Sequence, residues 1–360
     1  MTPEQPHPRL RVDDFDYDLP PPAIAQVPAE PRDAARLLVL DRAASTPGHP
    51  KITHSTFHEV GALLRPGDLL VVNDSRVIPA RLVGTRAAGE PAEILLLRPL
   101  GDEVDRWEAL VRPSRKVRSG ATVTLRGGDQ VEVGERLGDG TRAVRFARDP
   151  TAVIAVAGDT PLPPYIRDRS TSADRYQTVY ARPPGSAAAP TAGLHFTKEL
   201  LRSLTEARIR VASVTLHVGL DTFRPLEGEF VDEHRIHREW YEISGRSSAI
   251  LRETRHNGGR VVAVGTTSVR VLETAARHAA TSGWTDLYII PPHPFTAVDA
   301  MITNFHLPRS SLLLLVTAFV QAGMPRASAF EARDALLGAY RAALAEGYRF
   351  FSFGDAMFIA

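Results

Sequence analysis

The 360-residue chain is predicted to be an α/β protein, with a mixed-sheet main domain interrupted by an inserted antiparallel β-barrel. Three observations predict this. Short β-rich runs separated by turn signals, with no helical pattern between them, fill residues 68–150. From residue 151 onward strands alternate with helices. Before residue 67 a Pro-rich, acidic opening leads into two short β-like pieces. The expected division is 1–67 for the first part of the main domain, 68–150 for the barrel and 151–360 for the rest of the main domain.

The elements follow in order. Asp13, Asp14, Asp16 and Asp18 precede Pro20, Pro21 and Pro22, a stretch expected to run extended over a surface. Strands are expected at 36–40 and 51–54, then a short helix at 57–64 ended by Pro66-Gly67. The barrel runs are 69–73, 80–85, 92–98, 107–111, 121–125, 130–135 and 141–147. Gly89, Gly101-Asp102, Ser119-Gly120, Gly127-Gly128 and Gly138 to Gly140 punctuate them. Thr197 then caps a helix to about 207, with Leu200, Leu201 and Leu204 on its apolar face. A buried strand at 210–218, a helix at 247–256 and a strand at 260–264 follow. After Gly265 to Ser268 come a helix at 269–280, strands at 287–290 and 297–303, apolar helices at 310–321 and 328–345, and a closing strand at 350–359.

Composition narrows the chemistry. The chain has no cysteine, which excludes disulfides, thiolate metal sites, iron–sulfur clusters and a cysteine nucleophile. The longest apolar run, around 312–316, is cut off by Gln321 and Gly323, well short of a membrane span. The polar N-terminus lacks a signal core, so a cytoplasmic location and no membrane partner are expected. Net charge is only +1, so any nucleic-acid site must be local. Forty arginines against three lysines read as genome composition, not as RNA binding.

Five segments look chemical. Residues 183–196 (PPGSAAAPTAGLHF) place Thr191, Gly193 and His195 in a small-residue loop before a helix, where a backbone can approach a ligand; a plain connecting loop has the same composition. His217 and Gly219 end a strand, where α/β proteins bind ligands, although a lone strand histidine is more often just hydrogen-bonded. His234 and His237 stand three apart, beside Glu239; one helix face would hold both histidines. That spacing favours acid–base or substrate-binding work over a metal, and a charged surface turn is the bland reading. Gly265, Thr266, Thr267, Ser268 and Arg270 open a helix directly after a strand, a place for adenosine, ribose or carboxylate, or for an ordinary N-cap. Asn304 and His306 alternate at a further strand end, so both can face one side. Asn73-Asp74-Ser75-Arg76 and Gly354-Asp355-Ala356-Met357 are weaker polar breaks in apolar runs.

Collinear stretches turn these hints into a resemblance. DFDYDLP (14–20), GDLLVVNDSRVIPARL (67–82), PLPPYI (161–166), YQTVYARPPGSAAAPTAGLHF (176–196) and VTLHVGLDTFRP (214–225) are followed by DEHRIHREWYEI (232–243), VGTTSVRVLE (264–273), VDAMITNFHLPRSSLLLLVTAF (298–319) and YRFFSFGDAMFI (348–359). Together they resemble the S-adenosylmethionine:tRNA ribosyltransferase-isomerases of queuosine biosynthesis over nearly the whole chain. The resemblance implies an α/β core with an inserted barrel. It also implies a reaction in which S-adenosylmethionine is consumed as ribosyl donor: a C5′ proton acidified by the sulfonium is removed, the ribose rearranges, and adenine and methionine leave. An epoxycyclopentane-bearing group ends on 7-aminomethyl-7-deazaguanine of the tRNA anticodon, giving epoxyqueuosine, and no metal is needed.

That chemistry asks for a base, an acid for adenine and donors for ribose oxygens. His195, His217, His234, His237, Glu239 and His306 are the candidate catalytic residues, with the base among them unassigned. Thr191, Gly193, Gly265, Thr266, Thr267, Ser268, Arg270 and Asn304 are the candidate donor-binding residues. Arg112, Arg115, Lys116 and Arg118 are the candidate tRNA contacts. A monomer is expected. One departure stands out: where the family usually shows a Pro-Gly-aromatic turn followed by a lysine, this chain has Pro291-Pro292-His293-Pro294-Phe295-Thr296. That loop must differ in shape, which opens the alternative of a related transferase with another acceptor. A non-catalytic RNA-binding protein is the second alternative. A methyltransferase fits poorly, for want of a Gly-rich strand-to-helix loop.

Overall fold

The computed structural model describes residues 9–101, 103–137, 140–168, 170–219 and 226–360. Asp102, Gly138 and Asp139 of the expected turns, and residues 220–225 of the 214–225 stretch, lie outside them.

The first strands, β1 (Arg36–Thr46) and β2 (His49–Thr56), form an antiparallel hairpin. The helix expected at 57–64 is a 3-10 helix, Phe57–Leu63, started by a Thr56/Glu59 capping box. Next come β3 (Leu69–Asn73) and β4 (Arg76–Val77). The barrel consists of β5 (Arg81–Arg86), β6 (Pro91–Leu100), β7 (Glu103–Arg112), β8 (Ala121–Leu125), β9 (Gln130–Arg136) and β10 (Arg142–Phe146). These pair antiparallel in the order β5-β6-β7-β10-β9-β8, and β8 returns to β5 to close the ring. Helix α1 (Pro150–Ala157), capped by Asp149, puts Val153, Ile154 and Ala157 into the barrel core, and β11 (Gly158–Asp159) pairs with β5.

The chain then builds β12 (Pro184–Ser186), α2 (Lys198–Glu206), β13 (Arg210–Leu216), β14 (Glu239–Glu242), α3 (Gly245–His256), β15 (Val261–Val264) and α4 (Gly265–His278). It ends with β16 (Ser282–Thr285), β17 (Ala300–Asn304), α5 (Ser311–Gly323), α6 (Ala329–Ala345) and β18 (Ala356–Ile359). Thr197 caps α2 by accepting from the Leu200 amide at 3.1 Å. The nine-stranded main sheet runs β16-β14-β13-β3-β15-β17-β18-β1-β2. Strands β13, β3, β15 and β17 are mutually parallel, β14 and β18 join them antiparallel on either side, and β1 pairs parallel with β18. The architecture is the α/β fold with an inserted closed barrel.

Several expectations are corrected. Residues 69–73 do not belong to the barrel: β3 is buried along its whole length in the middle of the main sheet. Leu69 and Val71 pack into one core layer, Leu70 and Val72 into the other. Full burial of each such side chain stabilises by roughly 1.5–3 kcal/mol, which two covered faces supply and a barrel wall does not. On this pairing we propose that the insertion spans about residues 78–159 instead of 68–150. The strand expected at 287–290 falls instead at β16, where Trp284 and Thr285 pair with Trp240 and Glu239. Leu287 and Ile289 are buried without joining a ladder. Residues 265–268 are the first turn of α4, and the closing strand is confined to β18. Among the described residues no helix is long and apolar enough to cross a membrane.

Candidate active site

Because β13, β3, β15 and β17 are parallel, their C-terminal ends share one edge of the sheet. The residues that follow them gather there: His217 to Gly219, Asn73 to Ser75, Gly265 to Thr267, and Asn304 to His306. The barrel leaves the sheet just after β4, so it stands over the same edge. Two cavities result.

The first is a narrow cleft of about 590 Å³, counting its open mouth, at the ends of β15 and β17. It brings together six predicted residues: Thr191, Gly265, Thr266, Thr267, Asn304 and His306. Thr191 donates from Oγ1 to Asn304 Oδ1 at 2.8 Å, and Asn304 Nδ2 donates to the Phe351 carbonyl at 3.2 Å. Tyr165 and Ser352, joined by a 2.6 Å hydrogen bond, complete the wall together with Ser310. Among the described residues no lysine, arginine or carboxylate lines it. His306 is neutral: burial pushes its pKa down to about 3, and Nε2 lies 2.8 Å from Thr303 Oγ1. It shapes the cleft and carries no charge near pH 7.

The second is a chamber of about 3280 Å³, counting its mouth, between the β6–β7 part of the barrel and the sheet edge. His217, His234, His237, Glu239 and Arg270 line it, among tryptophans 107, 240 and 284. Glu239 accepts from the Gly219 amide at 2.7 Å and from Arg270 Nη1. Arg270 Nε donates to the Leu287 carbonyl at 3.2 Å. Trp284 is 39% exposed, stands edge-on to Trp240 with centroids 5.7 Å apart, and has the Arg98 guanidinium 5.0 Å above its ring. The two cavities share Leu312 and adjoin along 217–219.

His217 stands at that junction. Its Nδ1 lies 2.8 Å from Ser75 Oγ, and burial lowers its pKa despite the nearby Asp74 and Glu242 carboxylates. Asn73 prepares this contact. Its carboxamide pairs with both backbone groups of Leu216, each at 3.1 Å, while Oδ1 also accepts from the Ser75 amide at 3.1 Å. Gly185 seats the ring: its φ is +147°, and a Cβ there would lie 2.8 Å from the imidazole.

Other predicted residues lie elsewhere. His195 lines neither cavity; it stacks on Phe57 at 4.9 Å, and its two nitrogens face the Ala192 and Gly354 carbonyls at 3.1 and 3.0 Å. Ser268 donates back to the Val264 carbonyl at 2.7 Å, away from the cleft. A side chain on Gly193 would collide with the Tyr180 hydroxyl, so packing explains that glycine. His234 and His237 are not on a helix: a 3-10 turn, Val231–Glu233, precedes an irregular segment. Among the described residues no group of three His, Asp or Glu side chains is placed to hold a metal. Arg112, Arg115, Lys116 and Arg118 are exposed on the end of β7 and the following turn, and line neither cavity. Sequence reasoning missed Tyr165, Ser352, Gly185 and the Arg98–Trp284 pair. An exposed tryptophan facing an arginine is visible only once β6 and β16 are brought together.

A tight, hydroxyl-bearing cleft beside a wide chamber between sheet and barrel is the candidate site of an α/β enzyme with a barrel insertion. The comparisons agree. The family model described as "Queuosine biosynthesis protein" matches residues 12–359. S-adenosylmethionine:tRNA ribosyltransferase-isomerase of Moorella thermoacetica is 50% identical, covering 97% of this chain and 100% of that protein. The protein of that name from Anaeromyxobacter dehalogenans is also 50% identical, over 97% and 99%. The crystal structure of S-adenosylmethionine tRNA ribosyltransferase from Thermotoga maritima matches with a TM-score of 0.55 at 40% identity, covering 96% of this chain and 100% of that one. The chain belongs to the S-adenosylmethionine:tRNA ribosyltransferase-isomerase family of queuosine biosynthesis.

Proposed function

We propose that the enzyme transfers and isomerises the ribosyl group of S-adenosylmethionine onto 7-aminomethyl-7-deazaguanine in the tRNA anticodon. Epoxyqueuosine forms and adenine and methionine leave, in the cytoplasm, with S-adenosylmethionine consumed and no metal taking part. One observation carries this reading: a cleft without formal charge meets an arginine- and tryptophan-lined chamber at a neutral histidine. The donor nucleoside is assigned to the cleft, where hydroxyls and Asn304 offer donors and acceptors to ribose and adenine. The acceptor base fits the chamber, where exposed aromatic rings and guanidinium groups stack and neutralise RNA.

His217 is the base in this reading. Among the described residues of the cleft His306 is the one imidazole, and burial pushes its pKa down to about 3. His217 stands where donor and acceptor meet and is kept neutral by burial. With Nδ1–H directed to Ser75 Oγ, Nε2 carries the lone pair. The proton taken from C5′ leaves an electron pair stabilised by the adjoining sulfonium. Glu239, fixed by Arg270 and the Gly219 amide, puts a carboxylate beside that junction, suited to the cationic aminomethyl group of the acceptor.

The Pro292 loop supports the usual acceptor. Thr296 and Ala297 amides bind the Glu273 carboxylate of α4, Phe295 packs on Phe319, and the loop lines neither cavity. Incubation with S-adenosylmethionine and tRNA bearing the aminomethyl base tests the whole reading. Adenine plus methionine is the expected outcome. S-adenosylhomocysteine would mean methyl transfer, and turnover only with another acceptor would mean a paralogous activity.

A further inference from the structure

We propose that the first turn of α4, with the Thr267 hydroxyl, is the seat of a carboxylate: the α-carboxylate of the donor's amino-acid arm. The inference rests on the donor reading of the cleft above. Helix α4 is 14 residues long and starts directly at the end of the buried strand β15. Its first amides have no intrahelical acceptor, and the cap position, Val264, has no side-chain oxygen to offer them. Gly265 holds φ at +84° and adds no side chain, so the helix end lies open to the cleft.

The independent sign is Thr267. The residue is 9% exposed and lines the cleft, and its Oγ1 is buried without a hydrogen-bond partner. Four other hydroxyls of the cleft are engaged: Thr191 with Asn304, Thr303 with His306, Ser310 with the Leu307 carbonyl, Ser352 with Tyr165. A buried hydroxyl left unpaired costs free energy unless a ligand meets it. The ligand it awaits is an acceptor of hydrogen bonds, because the adjacent helix end presents only N–H donors and positive potential.

Charge selects among the donor's parts. Adenine and ribose carry no charge, and the sulfonium and amino groups are cations that a helix N-terminus repels. Only the carboxylate is an anion. Among the described residues no arginine or lysine lines the cleft, and the helix end and Thr267 are the groups proposed to compensate it. Methionine then leaves from a fixed anchor when the C5′–sulfur bond breaks.

The test compares binding of S-adenosylmethionine and its decarboxylated analogue to the full-length enzyme by calorimetry. The wild type is expected to bind the analogue at least about 10-fold more weakly. Thr267→Val is expected to weaken S-adenosylmethionine about 10-fold and leave the analogue unchanged, while Thr267→Ser restores the difference. Equal affinity of the wild type for both compounds, or equal weakening of both by Thr267→Val, overturns the carboxylate seat and leaves the donor reading standing. Binding of neither compound overturns the donor reading and this proposal with it.

Discussion

The cleft and the chamber sit on one sheet edge and share Leu312, yet they are built from opposite materials. The cleft is closed in by backbone turns and uncharged hydroxyls, many already bonded to one another. The chamber is walled by side chains from two domains and is rich in arginine, histidine and tryptophan. A small ligand of fixed shape is recognised by a preorganised shell. A flexible polyanion is held by exposed rings and charges. In the proposed reading, specificity for the donor lies at the sheet edge, and affinity for the RNA in the space between sheet and barrel.

Four substitutions break or sharpen that contrast. The largest effect is expected for His217→Ala at the boundary: kcat falls about 10²–10⁴-fold, with donor affinity nearly unchanged, measured by single-turnover adenine release and calorimetry. Loss of donor binding in step with kcat would instead make His217 part of the cleft. Next, Trp284→Ala is expected to weaken tRNA by about 10–100-fold in filter binding and leave the donor dissociation constant alone. An equal change in both constants would erase the distinction between the two cavities.

Ser75→Ala, which acts through His217, is expected to lower kcat about 10-fold and to displace the acid limb of the pH–rate profile. The sign follows from burial. The base works only when neutral, so the rate falls as pH drops through its pKa, and the lowered pKa of His217 puts that fall below the ordinary histidine value of about 6.5. Without Ser75 Oγ to accept from Nδ1–H, the imidazolium loses support and the limb moves to still lower pH. An unshifted limb would show that another group titrates. The smallest effect is expected from neutralising Arg112, Arg115, Lys116 and Arg118 together. We propose that they touch phosphates at the periphery, with a salt-dependent loss of about threefold in tRNA affinity. No change at all would remove them from the RNA surface.

Period and punctuation made the elements legible, but not always their partners. The run Leu69 to Asn73 is recognisable as a strand, and its lack of alternation is the mark of a strand covered on both faces. Turn signals on its C-terminal side drew it into the wrong sheet. Leu287 to Ile290 looks like a strand because it is apolar, but backbone pairing went to the less apolar Ser282–Thr285 segment beside β14. At the site, glycines and hydroxyls at strand ends pointed to Gly265, Thr266, Thr267 and Asn304, since strand ends converge by topology alone. His195 and Ser268 looked equivalent in sequence. Only the carbonyls that occupy them, from residues 3 to 159 positions away, separate a structural tie from a ligand group.

The two crossings between sheet and barrel are not independent threads. Outgoing β4 and returning β12 pair in parallel, with the Arg76 amide bonded to the Pro183 carbonyl at 2.8 Å and the Ile78 amide to the Ser186 carbonyl at 3.0 Å. The insertion therefore stands on a two-ply stalk. Pro184 and Gly185 of this ladder also line the chamber, so weakening it is expected to disturb both the chamber wall and the seat of His217.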